Sequence, residues 1–538
     1  MANLIRRNPF LTLSNLKELI FYVVILRILR RTGMQLWNRG VVGSIRELYT
    51  DLYKRVFRWI LRLPTVQRMV RQKMQGFITD IERQIAPRHK GGERHLRLPE
   101  NGMTEDQVLQ ELTRYYEMGK HEWEEGRVSG AVYHGEKSII ELSTAAYRMF
   151  TFSNPLHPDL FPGLTKMEAE VVAMCLSLFN APEGAAGTTT SGGTESLLMA
   201  CKAYRDMAYD LRGVTEPEIV VPDTIHAAFD KACAYFRIKL IKVPLDKRTY
   251  KVDIRAVRRA INRNTIMLAG SAPNFPHGII DDIPALAALA KRHGIGMHVD
   301  CCLGGFVMPF LERAGFPTEP FDFRVDGVTS ISCDTHKYGF APKGSSVIMY
   351  VSNTYRRYQY FCAPDWTGGV YASPAIAGSR PGALIAGCWA ALMVMGESGY
   401  IEATRKMVTS AKRIEAGIRN IDELFVYGEP KATVVAFGVR DEPMAIYAVA
   451  DRLTKRGWHL NMTQSPPAAH IACTLLTTEE AADNLLEDLR SVLEYLRANP
   501  EEKSKAMNAG VYGASASLPD KSLLSEGAFA FLDAMYMA

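Results

Sequence analysis

Short runs of β-branched and apolar residues alternate with helix-length amphipathic segments between about residue 165 and residue 351. Strand-like runs such as IVVP (219–222), GMHVD (296–300) and SSVIMYV (345–351) are separated by predicted helices. This alternation predicts an α/β fold in which a mostly parallel central sheet is covered by helices on both faces. Because ligands bind such sheets beyond the carboxyl ends of the strands, functional side chains are expected in the loops that follow them.

The alternation ends at about residue 380. A long apolar helix is predicted over 383–395, and strands at 434–439 and 470–476 alternate with helices at 443–456 and 479–498. This mixture predicts a smaller C-terminal α+β domain.

The net charge of +6 is the sum of two opposite contributions. Residues 1–90 contain 18 Lys and Arg against 5 Asp and Glu, a net charge of +13, whereas the other 448 residues contain 46 against 53, a net charge of −7. The basic excess therefore belongs to an N-terminal leader. No recognised nucleic-acid-binding module accompanies it, so nucleic acid is not expected as a partner.

The leader contains an apolar run, LIFYVVILRIL (19–29), that Arg27 interrupts and that is short for a membrane span. In residues 41–74 apolar and basic side chains alternate at helical spacing around Trp59, a pattern that suits an anionic membrane surface. The alternative is a helix packed on a partner subunit with its basic face in water. The nine cysteines include no Cys-x-x-Cys pair and indicate reduced thiols in a cytosol-facing protein.

Three groups of residues suggest a particular chemistry. A predicted strand leads into Asp334, His336 and Lys337, and another strand ends at the acidic residue Asp300. The loop 191–196 (SGGTES), here called the anion cradle, opens a predicted helix whose free N–H groups and positive dipole end suit an anion.

An anion cradle, a lysine amine and a buried acid are what pyridoxal 5'-phosphate requires of a protein. The cradle would take its phosphate, Lys337 would bond to its aldehyde, and Asp300 would keep its ring nitrogen protonated. His226, which follows a predicted strand, is the candidate for a ring stacked on the cofactor. No metal site is predicted.

The order of these residues resembles that in the fold-type-I pyridoxal-phosphate enzymes, and within them the sphingosine-1-phosphate lyase family, over roughly residues 100–535. Group II amino-acid decarboxylases share the His-Lys pair, but the Asn-Pro-Leu-His-Pro block is not expected in them. The motifs that carry the resemblance are GAVYHGE (130–136), SNPLHPDLFPGL (153–164), TSGGTES (190–196), HAAFDKA (226–232), APNFPHGIIDDIP (272–284), HVDCCLGGF (298–306), DTHKYGFAPKGSS (334–346) and GGVYASPAIAGSRPG (368–382).

The resemblance implies a role for each matching residue. Lys337 is the lysine that binds the cofactor covalently, Asp300 pairs with the pyridine nitrogen, and His226 lies against the ring. Backbone N–H groups of Gly193 and Thr194 hold the cofactor phosphate, with Asp334 and His336 close by. The substrate phosphate end is lined by Tyr133, Asn154, His157, Lys343 and Ser379.

The reaction that the resemblance implies is a retro-aldol cleavage of a phosphorylated sphingoid base to a long-chain aldehyde and phosphoethanolamine. Lys337 and Tyr133 are the candidate proton carriers. The alternatives are an amino-acid decarboxylase of the same fold, which would need a cation for the substrate carboxylate, and a non-catalytic membrane tether.

The resemblance also implies a homodimer in the endoplasmic reticulum membrane with its catalytic part facing the cytosol; the alternative is a peripheral membrane or cytoplasmic protein. Four parts are predicted. They are the leader (1–90), a segment that contributes to the active site and dimer (91–164), a large cofactor-binding domain (165–380) and a small C-terminal domain with a tail (381–538).

Overall fold

The computed structural model describes residues 17–27, 95–119, 123–440, 445–505 and 522–536, together with isolated positions between 29 and 79. Contacts between residues divide the chain into two compact units. One unit contains residues 1–104 and 517–538, and the other contains residues 105–516. Most of the predicted leader lies outside the described residues.

The larger unit is built around a seven-stranded sheet, here called the large sheet. Its strand order is β1-β7-β6-β5-β4-β2-β3. The elements in this part of the chain are α1 (Glu105–Glu117), α2 (Lys137–Phe150), α3 (Pro162–Leu178), β1 (Ala186–Thr190), α4 (Gly193–Arg212), β2 (Glu218–Pro222), α5 (Ala228–Phe236), β3 (Lys239–Val243), α6 (Ile254–Ala260), β4 (Thr265–Ser271), α7 (Ile283–His293), β5 (Gly296–Asp300), β6 (Ser330–Cys333), β7 (Ser346–Tyr350) and α8 (Asn353–Arg357).

The predicted fold class is confirmed, since five adjacent strands of the large sheet, in the order β3-β2-β4-β5-β6, pair in parallel. Strand β7 runs antiparallel to both of its neighbours, β1 and β6, so the sheet is mixed at this edge. Both faces are covered. In β2, Ile219 and Val221 pack in a core with residues of α4 and α5, whereas Val220 belongs to a second core that includes residues of α3 and α7.

A four-stranded antiparallel sheet, here called the small sheet, follows in the order β10-β11-β13-β12. Residues such as Val435, Phe437 and Ile471 of the small sheet form a separate hydrophobic core, whereas Val434 and Ala472 belong to a core of the large sheet. The remaining elements of this unit are β8 (Phe361–Ala363), β9 (Tyr371–Ser373), α9 (Gly382–Arg419), β10 (Leu424–Val426), β11 (Val434–Val439), α10 (Ala445–Thr454), β12 (Asn461–Gln464), β13 (Pro467–Ala472) and α11 (Glu479–Ala498).

Helix α9 is longer than the helix predicted over 383–395. Gly396 lies inside it with φ 54° and ψ 179°, so two helical segments meet there at a break. Among the described residues, α9 is the one helix long and apolar enough to cross a membrane, but 44% of its most apolar window is buried. Since it packs against α2, α3 and α11, its apolar character is explained by the core of the larger unit.

In the other unit, residues 17–27 are helical and most of their apolar side chains are exposed; Phe21, for example, is 60% exposed. Exposed apolar residues also recur at intervals of three or four between residues 45 and 60, where the described positions are helical. They form an apolar stripe that consists of Ile45, Leu48, Tyr49, Leu52, Tyr53, Val56, Trp59 and Ile60. The unit also contains α12 (Ser522–Met535), which carries the exposed residues Phe529 and Leu532.

Candidate active site

A cavity of about 340 Å³ lies at the carboxyl ends of the central strands of the large sheet. Its size falls within the range of small-molecule sites. Four of the predicted residues, which are far apart in sequence, meet in this cavity: Tyr133, His226, Asp300 and Lys337. The other lining residues are Ser129, Gly130, Ala131, Ser271, Pro273, Phe275, Cys302, Leu303, Asn461 and Ala472.

Asp300 is the last residue of β5 and is only 6% exposed. Its Oδ1 accepts a hydrogen bond from the N–H of Cys302 at 3.1 Å. Within the described part of the chain, the carboxylate forms no ion pair with Lys, Arg or His. A buried carboxylate in this situation is costly unless a ligand supplies positive charge, and a protonated ring nitrogen in the cavity would do so.

Lys337 follows β6, and its Nζ lies 2.9 Å from Oδ2 of Asp334. Burial lowers the pKa of Lys337, but the neighbouring charges, chiefly Asp334, raise it by more, so that the net pKa is raised. Oδ1 of Asp334 is buried and has no hydrogen-bond partner among the described residues. His336 lies beside this pair, with Nε2 3.7 Å from Asp334 Oδ2. Burial lowers the pKa of His336, which favours the neutral ring.

The anion cradle lies beside the same carboxylate. Helix α4 begins at Gly193, so the first backbone N–H groups, including those of Gly193 and Thr194, have no acceptor within the helix. A Cβ at Gly193 would lie 2.8 Å from both Asp334 Oδ1 and Cys302 Sγ. Only glycine therefore fits without displacing these atoms. The close approach and the free N–H groups of the helix N-terminus together fit a cofactor phosphate at this end of the cavity.

His226 lies in the turn before α5, which begins at Ala228. Its Nδ1 accepts a hydrogen bond from the N–H of Ala228 at 3.1 Å. The proton of the neutral ring is therefore on Nε2. This bond fixes the ring at the rim of the cavity.

Tyr133 lies between two cavities. It lines the first cavity and also an apolar cavity of about 500 Å³ beside α2, and Lys337 lines both. Burial raises the pKa of Tyr133. Lys343 also lines the second cavity, with its Nζ 4.6 Å from the centroid of the Tyr133 ring.

The other predicted substrate-phosphate residues form a separate group. Oδ1 of Asn154 accepts hydrogen bonds from the N–H groups of Leu156 at 3.1 Å and of Arg380 at 3.2 Å. The N–H of His157 donates to the Asn154 carbonyl at 3.1 Å, and Ser379 immediately precedes Arg380. Neither Asn154, His157 nor Ser379 lines either cavity. Within one chain, the predicted substrate-phosphate residues are thus divided into two groups: Lys343 with Tyr133, and Asn154 with His157 and Ser379.

Sequence reasoning missed one wall of the first cavity. Asn461 and Ala472 line this wall and belong to the small sheet. The Oγ of Ser129 accepts hydrogen bonds from Nδ2 of Asn461 at 2.8 Å and from the N–H of Ala472 at 2.9 Å. Ser129 directly precedes the GAVYHGE block, which was the available signal. The described residues include no cluster of three His, Cys, Asp or Glu side chains that could hold a metal ion.

Comparison with known proteins places the chain in a class. Residues 87–440 match the family model "Pyridoxal-dependent decarboxylase conserved domain". A solved glutamate decarboxylase from Lactobacillus brevis shares the fold, with a TM-score of 0.65 and 21% identity over 76% of this chain and 96% of that chain. The fold and the site therefore define a pyridoxal-phosphate-dependent enzyme of this class.

More similar relatives identify the family within that class. Sphingosine-1-phosphate lyase 1 of Mus musculus is 46% identical over 94% of this chain and 88% of its own length. The sphingosine-1-phosphate lyase of Saccharomyces cerevisiae is 44% identical over 99% and 90%, respectively. The solved lyase of Burkholderia pseudomallei has a TM-score of 0.73 at 39% identity and covers 80% of this chain and 99% of its own. The chain belongs to the sphingosine-1-phosphate lyase family.

Proposed function

We propose that this protein is a pyridoxal-phosphate-dependent carbon–carbon lyase of sphingolipid metabolism. It cleaves sphingosine 1-phosphate and related phosphorylated sphingoid bases between C2 and C3, giving a long-chain fatty aldehyde and phosphoethanolamine. The observation that carries the proposal is the meeting of Lys337, Asp300, His226 and Tyr133 in one cavity next to the anion cradle. Its relatives over nearly the whole chain are sphingosine-1-phosphate lyases, whereas decarboxylation is named only for the wider family.

Each predicted cofactor-binding residue named here has a proposed task. Lys337 holds the cofactor, and Asp300 keeps the cofactor's ring nitrogen protonated. Backbone N–H groups of Gly193 and Thr194 bind the cofactor phosphate, and His226 lies against the ring. When bound, pyridoxal phosphate accepts the electron pair released at the substrate carbon that carries the amine.

The chain must also move protons during cleavage. One proton leaves the C3 hydroxyl as the C2–C3 bond breaks, and another is delivered to C2 before phosphoethanolamine is released. Lys337 and Tyr133 both face the cavity and are the proposed carriers. Burial raises the pKa of Tyr133, so its hydroxyl carries a proton at neutral pH.

We also propose that the enzyme acts as a homodimer. The division of the substrate-phosphate residues into two groups supports this, because a second copy would bring Asn154, His157 and Ser379 to the Lys343 side of the partner's cavity. The substrate phosphate would then have donors distinct from those of the cofactor phosphate. The proposed parts are the leader (1–90), the segment 91–164, the cofactor-binding domain (165–380) and the small domain with its tail (381–538).

The leader is proposed to attach the enzyme to the endoplasmic reticulum membrane, with the catalytic part in the cytosol. The exposed apolar side chains of residues 17–27 and of the stripe from Ile45 to Ile60 support this. The net charge of +13 in residues 1–90 adds attraction to anionic lipids. A substrate with a long alkyl chain partitions into the same membrane.

The direct test is incubation of the pyridoxal-phosphate-loaded protein with a phosphorylated sphingoid base, followed by detection of the aldehyde and of phosphoethanolamine. Both products are expected in equal amounts, and Lys337→Ala should abolish them. A parallel assay of carbon dioxide release from amino acids addresses the decarboxylase alternative. Carbon dioxide without aldehyde would contradict the proposal.

A further inference from the structure

Glu195 joins two distant segments of the chain. It lies in the first turn of α4 and is only 8% exposed. Its Oε2 accepts a hydrogen bond from the N–H of Ser191 at 2.7 Å, in the anion cradle. Its Oε1 accepts one from the N–H of Ile376 at 2.9 Å, which is 181 positions further along the chain.

The second segment leads directly to the predicted substrate-phosphate residues. Three residues after Ile376 comes Ser379, and the N–H of the following Arg380 donates to Asn154 Oδ1 at 3.2 Å. The Arg380 guanidinium pairs with Glu168, and its Nη2 lies 3.1 Å from Glu168 Oε2. Two carboxylates therefore hold this segment, Glu195 at Ile376 and Glu168 at Arg380. Of these two, Glu195 bonds the cradle loop, whereas Glu168 bonds Thr189 on β1.

Each oxygen of the Glu195 carboxylate accepts one of these two hydrogen bonds. Because both oxygens belong to one planar group, a rotation of the carboxylate that weakens one bond also changes the other. Hydrogen bonds to an ionised carboxylate are strong, and a buried carboxylate left with an unmet acceptor is costly. A phosphate bound by the N–H groups of the cradle fixes the Ser191–Glu195 turn and hence the direction of the carboxylate. That direction fixes Ile376, and with it the segment that carries Ser379.

We infer that Glu195 is a positioning residue that couples binding of the cofactor phosphate in one subunit to binding of the substrate phosphate in the partner's cavity. The inference rests on the proposed function, because it takes Ser379 and Asn154 as part of the substrate-phosphate site. Since coupling between two binding sites is reciprocal, the substrate phosphate should in turn retain the cofactor.

The test measures how fast the full-length holoenzyme loses pyridoxal phosphate on dialysis, with and without saturating monoethyl phosphate. This probe carries the phosphate of the substrate but no amine. It should slow cofactor loss about fivefold or more in the wild-type enzyme. In Glu195→Gln it should have no effect, because the amide replaces one of the two acceptor oxygens by a donor. Glu168→Gln is the matched control. In this variant a higher concentration of monoethyl phosphate is needed for saturation, but at saturation the loss of pyridoxal phosphate is slowed as much as in the wild type.

Two outcomes would overturn the inference: no slowing in the wild type, or the full wild-type slowing in Glu195→Gln. Hydrogen exchange on the wild type tests the same point if the variant does not fold. The amides of residues 376–380 should exchange more slowly in the holoenzyme than in the apoenzyme, and equal rates would contradict the coupling. Substrate cleavage by the wild type separates this inference from the proposed function. Cleavage without coupling overturns the inference alone, whereas absence of cleavage overturns the function.

Discussion

The ammonium nitrogen of Lys337 lies 2.9 Å from the Asp334 carboxylate, three residues earlier in the turn that follows β6. Asp334 is only 2% exposed, so water screens the pair poorly. The carboxylate therefore stabilises the charged form of a lysine that must lose a proton before it can bond to a carbonyl. It also lies at the cradle, beside Gly193.

Asp334→Asn should lower the pKa of Lys337, because burial would no longer be offset by the carboxylate. Attachment of pyridoxal phosphate to the apoenzyme should then extend to lower pH, with a rate about tenfold higher at neutral pH for each unit by which the pKa falls. The visible absorbance of the bound cofactor measures this rate between pH 6 and 9. Asp322→Asn, which removes a buried carboxylate paired with Arg324, should leave the profile as in the wild type. An unchanged profile in Asp334→Asn would contradict the role given to the pair.

Gly193→Ala should weaken cofactor binding at least about tenfold and lower the free energy of unfolding by about 1–3 kcal/mol, the usual cost of overpacking. The added Cβ would meet Asp334 Oδ1 and Cys302 Sγ at 2.8 Å, so the cradle must shift. Fluorescence titration of the apoenzyme with pyridoxal phosphate and urea unfolding measure the two effects. Gly163→Ala in α3 is the control, since nothing lies within 4 Å of its Cβ and it should change neither quantity appreciably.

The proposed role of Lys343 in binding the substrate phosphate predicts a pH dependence of the substrate affinity. Burial, followed by repulsion from Lys337, lowers the pKa of its ammonium below the ordinary 10.5. As the pH rises through this lowered pKa, the charge is lost and KM should rise. Lys343→Arg, whose charge persists at high pH, should remove the alkaline rise. Lys343→Gln should raise KM about 10- to 100-fold at neutral pH, the effect of losing a hydrogen bond from a charged donor. A KM that rises equally in the wild type and in Lys343→Arg would exclude this residue as the cause.

His277 should make the fold sensitive to acid. It is 1% exposed, neither ring nitrogen has a hydrogen-bond partner among the described residues, and the ring stacks on Tyr427 at 5.3 Å between centroids. Burial lowers the pKa of His277 to about 4 from 6.5. The unfolded chain therefore binds the proton first, and stability is lost as the pH falls from about 6.5 to about 4, by up to about 3 kcal/mol.

His277→Phe keeps the stacking and removes the ionisable group. Its urea midpoint should fall less between pH 7 and pH 5 than that of the wild type, while the exposed His293, replaced by Gln, should leave the dependence unchanged. If the urea midpoints of His277→Phe and the wild type fall equally between pH 7 and pH 5, other titratable groups cause the loss of stability in acid. Two candidates are His298 and His470, since burial also lowers the pKa of each to about 4.

The central strands could be predicted from sequence because their residues are β-branched or apolar and are bounded by turns. GMHVD at 296–300 is a strand with the predicted ends. Strand β1 was missed because AGTTT has small and polar residues, and its pairing with the distant β7 is what makes it a strand. The break in α9 at Gly396 was also missed. It arises from the non-helical dihedral angles of this residue, and a single glycine within an apolar pattern does not indicate that the backbone adopts them.

The residues that meet in the first cavity could be predicted from strand ends and motif order, as Asp300 and Lys337 show. The wall formed by Ser129 and Asn461 could not, because it depends on the small sheet contacting a loop 332 positions earlier. Nothing in the local sequence at 461 marks that contact. The Asp334–Lys337 ion pair likewise depends on the shape of the turn, since the two residues were predicted as site residues but not as partners.

The loop before Tyr133 is attached to the small sheet and to the segments that flank its strands. The N–H of Ser129 donates to the His459 carbonyl at 2.9 Å, the N–H of Gly130 donates to the Ala472 carbonyl at 2.9 Å, and the N–H of Leu475 donates to the Tyr133 carbonyl at 3.3 Å. Lys337, in contrast, lies in the turn that follows strand β6 of the large sheet. Any rotation of the small sheet against the large one carries Tyr133 with it and changes its distance from Lys337. A rotation that widened the cavity would thus also separate the two proposed proton carriers.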